Sequence, residues 1–228
     1  MIQKQDWDQL MNLAQVKLTG ASQKGLAAEF YDVLSEFMND SSIWTHDITV
    51  PYTAGNREFP LFVNEGQIIR LSGVRDWGSI VPSENGHAGN SGILFVPALL
   101  NEHLDKIIVK NRPNTNGYYQ VNVVLNTNLP VGHEMIPTAP GWLLPVWHVG
   151  LLDGLLGKMM TQVSKSYSNA QQGAYHLKRF RDAIARARTS KLRSSTNGAS
   201  AWRFPQQFRS TSQQSGVPAI GSANERSF

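Results

Sequence analysis

"YDVLSEFMNDSSIWTHDITVPYTAGNREFPLF", residues 31–62, changes its apolar period halfway along. Up to Asn39 the apolar residues Val33, Leu34 and Phe37 return every three to four positions, the spacing that lines one face of an α-helix. From Ser42 the period is that of strands: "WTHDITV" is β-like, Ala54–Asn56 makes a turn, and "FPLF" resumes an extended run. The chain leaves helix for sheet here, and where it returns to helix decides the fold class.

Upstream, two helices are predicted. Trp7, Leu10, Met11, Ala14 and Leu18 share one helical face, with Asp6 as N-cap and Gly20 as stop. Ser22 caps the second helix, whose face carries Leu26, Phe30, Val33, Leu34 and Phe37. Downstream, "GQIIRLSGV", the apolar burst "GILFVPALL", "KIIVK" and "YYQVNVVLN" read as further strands, about six over 44–127. Tyr119, Val121 and Val123 alternate with Gln120, Asn122 and Val124, which predicts a sheet with one wetter face. After the linker "VGHEMIPTAPG", helix returns from Trp142 to about Val163, apolar on most sides. Gly150, Gly154 and Gly157 fall within it, each costing about 1 kcal/mol of propensity against alanine, so a close approach of another backbone is expected there.

The predicted fold is therefore α+β. N- and C-terminal helices (1–40 and 131–193) form a bundle, an antiparallel β domain (41–130) is inserted between them, and 194–228 is an extended C-terminal arm. That arm is rich in Ser, Gln, Gly and Asn, with little to build a core.

Composition narrows the function. There are no cysteines among the 228 residues, so neither a disulfide framework nor a thiolate metal site is available. The N-terminus shows no signal peptide, and "GWLLPVWHVGLLDGLLGKMM" is interrupted too often to span a membrane. The six histidines form no i,i+4 pair, "GHAGNSG" lacks the last glycine of a nucleophile elbow, and "GLLDGLLGKMM" has the wrong spacing for a phosphate loop. No catalytic residue, metal or cofactor is expected.

Charge is uneven. Residues 1–150 carry 9 Lys/Arg and 14 Asp/Glu, whereas 151–228 carry 12 and 3. Most of the excess lies in "HLKRFRDAIARARTSKLR" (176–193) and the tail "ASAWRFPQQFRS". Leu177, Phe180, Ile184 and Ala187 form a narrow apolar seam, while Arg179, Arg186 and Arg193 share one line and Arg181 and Arg188 another. Arginine rather than lysine dominates, which favours bidentate contacts to carboxylate or phosphate. Trp202, Phe204 and Phe208 stand out from polar surroundings as candidate anchors in a partner's groove. Stacking on single-stranded bases is the competing use of such aromatics.

The order of these elements resembles the head-to-tail adaptor (head completion, or connector) proteins of tailed bacteriophages, the short-tailed type above all. The resemblance is carried by "YDVLSEFMNDSSIW" running into "THDITVPYTAGNREFPLF" and "GQIIRLSGV", and later by "PGWLLPVWHVGLLDGLLGKMMTQ" and "GAYHLKRFRDAIARAR", over about residues 5–210. Phe59 stands where those proteins usually have Tyr, and Pro60–Leu61 come in reversed order.

The resemblance implies a structural virion protein at the head–tail junction, made in the bacterial host cytoplasm. It implies a ring of the chain with itself, a dodecamer, joining the portal protein to the tail nozzle protein and continuing the DNA channel. Arg179, Arg186, Arg193, Trp202, Phe204 and Phe208 would then bind the portal. Two alternatives stay open: a sequence-neutral nucleic-acid-binding protein using the same basic helix and tail, and a tail-tube or stopper protein.

Overall fold

A computed structural model of the chain describes residues 2–76, 94–128 and 136–195. Its elements are α1 (Lys4–Lys17), α2 (Gln23–Ser41), β1 (Thr45–Tyr52), β2 (Glu58–Pro60), β3 (Gln67–Asp76), β4 (Leu94–Phe95), β5 (Ala98–Leu100), β6 (Lys106–Val109), β7 (Gly117–Asn126), α3 (Leu143–Met160) and α4 (Ala170–Ser195). Among the described residues, four helices and two antiparallel sheets make it an α+β protein. The compact unit Met1–Leu192 contains both sheets, α1–α3 and all but the last three residues of α4.

The N-terminal helices form where their apolar faces can be buried. Trp7, Leu10, Met11 and Ala14 of α1 meet Leu26, Phe30, Val33 and Leu34 of α2 in one core, with Trp7 set edge-on to Phe30 at 5.2 Å. Ser22 caps α2 by accepting from the Gly25 backbone N–H at 3.1 Å. Asp6 is not the cap of α1: the helix starts at Lys4 with Gln3 before it, and no side chain caps it. Asp6 falls instead in the first turn, where a carboxylate faces the positive end of the helix dipole.

The strands sort into two sheets, in the orders β1-β7-β3-β4 and β2-β6-β5. β1 and β3 flank β7, with Ile48 opposite Val121 on one side and Val74 opposite Val121 on the other. Among the described residues seven strands form rather than six, because "GILFVPALL" breaks at Pro97 into β4 and β5, which join different sheets. Proline has no N–H to donate to a ladder, so the chain can turn there from one sheet to the other. Its carbonyl accepts from Lys110, and the Val96 N–H before it donates to Val74, at 2.9 and 3.0 Å.

The alternation expected on β7 holds from Tyr119 to Val123 and then stops, Val123, Val124 and Leu125 all being buried. Helix α2 meets the sheet at this end: Asn126 donates to Ser35 Oγ at 2.8 Å, and Tyr31 OH to the Thr127 carbonyl at 3.4 Å. Gly66 lies at the same junction with φ +75°. A Cβ there would come within 2.6 Å of the Trp44 ring and 2.8 Å of the Asn126 carbonyl oxygen.

Helix α3 runs through the bundle, with Leu143, Leu144, Leu151, Leu155 and Leu156 buried. Its first half is less enclosed than its apolar sequence predicts, since Trp142, Val146 and Val149 are exposed along one side. Among the described residues, no helix is long and apolar enough to cross a membrane.

Candidate interaction surface on the basic helix

Helix α4 begins at Ala170, earlier than the charged stretch that announces it. Asn169 accepts from the Gln172 N–H at 3.1 Å and so caps its first turn. Three glycines of α3 let α4 come close. A Cβ on Gly150 would lie 2.5 Å from Ala183 Cβ, and one on Gly154 would lie 2.6 Å from Val33 and 2.8 Å from Phe180. One on Gly157 would lie 2.8 Å from the Leu177 side chain and 2.9 Å from its backbone nitrogen. Backbone therefore meets backbone only at Gly157, while Gly150 and Gly154 make room for side chains. The buried seam of α4 is Phe180, Ala183 and Ala187, with Leu177 and Ile184 half-buried beside it. Ala183 is buried with them, although the seam read from the sequence holds Ala187 and not Ala183.

The contact holds one buried charge. Asp153 on α3 is 8% exposed, and α4 takes both its carboxylate oxygens. His176 donates from Nδ1 to Oδ1 at 2.8 Å, and Arg179 forms an ion pair with the other oxygen, Nε to Oδ2 at 3.1 Å. Residues 176 and 179 sit three apart on one helix face, so both reach the same carboxylate. A carboxylate in such a place is stable only when paired and hydrogen-bonded, and here it is both. Sequence reasoning did not single out Asp153 or His176. Their pairing depends on how two helices joined by the nine residues 161–169 come to lie side by side, and no local pattern encodes that.

The arginines are not a uniform row. Arg179 is 44% exposed, tied by Nε to Asp153, with its guanidinium over the Tyr175 ring at 5.7 Å from the centroid. Arg186 is exposed and donates from Nε to the Asp182 carbonyl oxygen at 3.3 Å. Lys178, Arg181 and Arg188 are exposed as well. Lys191 is half-buried, and burial pushes its ammonium pKa down, with repulsion from Arg70 adding to the effect. The Arg193 side chain, Trp202, Phe204 and Phe208 lie outside the described residues. Among the described residues no group of three His, Cys, Asp or Glu side chains could hold a metal ion.

No protein-family model and no curated protein matches the chain.

Proposed function

We propose that this chain is a structural virion protein, the head-to-tail adaptor that forms a homo-oligomeric ring between portal and tail nozzle and continues the DNA channel. The observation that carries the reading is the mounting of α4. A strongly basic helix is seated rigidly, through glycines and a buried Asp153, on a bundle whose own sequence is acidic. Rigid seating suits a docking element, because little conformational freedom remains to be lost on binding. The order of elements adds support, with a β region placed between two pairs of helices as in the adaptors that the sequence resembles. In this reading the β sheets face outward or toward the tail, and the arm from 194 onward reaches the portal.

The exposed Lys178, Arg181 and Arg188 also suit a phosphate backbone, which keeps sequence-neutral nucleic-acid binding as the second reading. Native mass spectrometry separates the two. The full chain and a truncation after Arg193 are each measured alone, with the portal ring of the same virus, and with duplex DNA. A ring that forms only on the portal, and only with the tail present, supports the adaptor. A chain that ignores the portal and holds DNA, with affinity falling steeply as salt rises, supports the second reading.

A further inference from the structure

From the flank of α4 that borders Asp153, we infer that Arg179 and Arg186, together with the apolar line Val146–Val149 on α3, form one docking surface for an acidic amphipathic helix of a protein partner. This deepens the adaptor reading and rests on it for the partner being protein. Arg179 is ion-paired to Asp153 on its Nε edge, and Arg186 donates from Nε to the Asp182 carbonyl. No described residue bonds their Nη groups, so each presents a fork already oriented for a carboxylate. Arg179 is steadied further by the Tyr175 ring beneath it. The two residues lie seven apart, about 10.5 Å along the helix. That matches carboxylates spaced by seven on a facing helix.

The second component lies alongside. Val146, Val149 and Asp153 follow one another on α3 at intervals of three and four, in line with Trp142 at its N-cap, which places them on one line of that helix. Asp153 touches the arginine flank of α4, so the line leading away from it runs beside that flank. On this line Val146 is 62% and Val149 50% exposed. A duplex needs only the cations. An exposed aliphatic line bordered by oriented arginines and an aromatic is instead the composition of a protein interface. The occupant is therefore amphipathic, its apolar side on the valines and its carboxylates on the forks.

The test uses the full chain with two probes, the portal ring of the same virus and a duplex DNA. Three variants are compared: Arg186→Lys, Arg179→Lys/Arg186→Lys, and Val146→Ser/Val149→Ser. The lysines keep the charge and remove the fork. The serines keep every charge and, being on an exposed line, leave the core untouched. Arg186 bonds only an exposed carbonyl of its own helix, so its lysine variant folds even if the double variant loosens Asp153. The expected result is a tenfold or greater loss of portal affinity in both double variants, a smaller loss in Arg186→Lys, and unchanged duplex binding. If the portal binds all variants as it binds the wild type, the surface is wrongly assigned and the adaptor reading stands. Should the variants lose duplex affinity instead, the partner is nucleic acid and the inference falls. A portal that does not bind even the wild type removes the adaptor reading and this surface with it.

Discussion

Arg179 of α4 and Asp153 of α3 are joined at 3.1 Å through Nε and Oδ2, and this pair, with His176 on the other carboxylate oxygen, sets the register of the two helices. Sliding α4 by one residue would strand a buried carboxylate. The glycine contacts at 150, 154 and 157 tolerate no slide either, since each is matched to one residue of α4.

Removing the carboxylate should therefore loosen α4 before the rest of the bundle. Asp153→Ala is expected to cost about 2–3 kcal/mol, less than the roughly 3–5 kcal/mol of a fully buried pair, because Arg179 is partly in water and can rehydrate. Urea denaturation measures the loss, and amide exchange should show it first at 172–180. A change within about 0.5 kcal/mol, the level of an ordinary surface substitution, would mean that the pair is idle.

The glycine seam gives opposite expectations from propensity and from packing. Alanine gains about 1 kcal/mol in a helix interior, but overpacking costs about 1–3 kcal/mol. Packing should win at Gly150, where a Cβ meets that of Ala183 at 2.5 Å and neither group can swing away. Gly150→Ala should lower the melting temperature, and Ala183→Gly added to it should restore part of the loss. A double variant no more stable than the single would place the strain elsewhere.

Tyrosine titration reports on the sheets. Tyr119 stacks on Tyr52 at 4.1 Å between centroids, and Tyr52 donates to Asp76 at 3.0 Å. Burial, then the charge of Asp76, then Tyr52 push the Tyr119 phenol from 10.0 up to about 12. Tyr52 is raised by burial and by Asp76, and Tyr31 by burial and by Asp32. The folded state holds these protons more tightly than the unfolded one. Their contribution is thus complete below pH 10 and is lost as pH rises toward about 12. Absorbance at the tyrosinate band should show some of the six tyrosines ionising late, together with unfolding of the sheets. Six tyrosines titrating together near 10 in the folded protein would contradict this cluster.

Ser22 offers a local test. Its hydroxyl satisfies one N–H at the start of α2 from an exposed position, so Ser22→Ala should cost about 1 kcal/mol and Ser22→Gly only a few tenths. Equal losses in thermal melts would assign the whole effect to the hydroxyl, and no loss in either variant would show that its bond contributes nothing.

Interactions between near neighbours in the chain account for what could be read in advance. Leu26, Phe30, Val33, Leu34 and Phe37 repeat with the helical period, and the core buries all five. The turn at 54–56, the strands on either side of it and the Ser22 cap follow from local geometry in the same way. The arginine lines of α4 were equally legible, because a helix fixes the angle between residues seven apart.

Partner choice across long separations had to wait for the folded chain. No repeat in "GILFVPALL" shows that it divides between two sheets at Pro97, since that depends on which strands lie on either side. The burial of Val124 beside Val123 and Leu125 needs α2 lying over the end of β7. Asp153 reads as one polar residue in an apolar run until α4 packs against it. Only then does the same carboxylate become the group that splits the arginine row, binding Arg179 and leaving Arg186, among the described residues, with a carbonyl of its own helix. Periodicity dictates which face a side chain occupies, whereas packing between distant segments decides what that face meets.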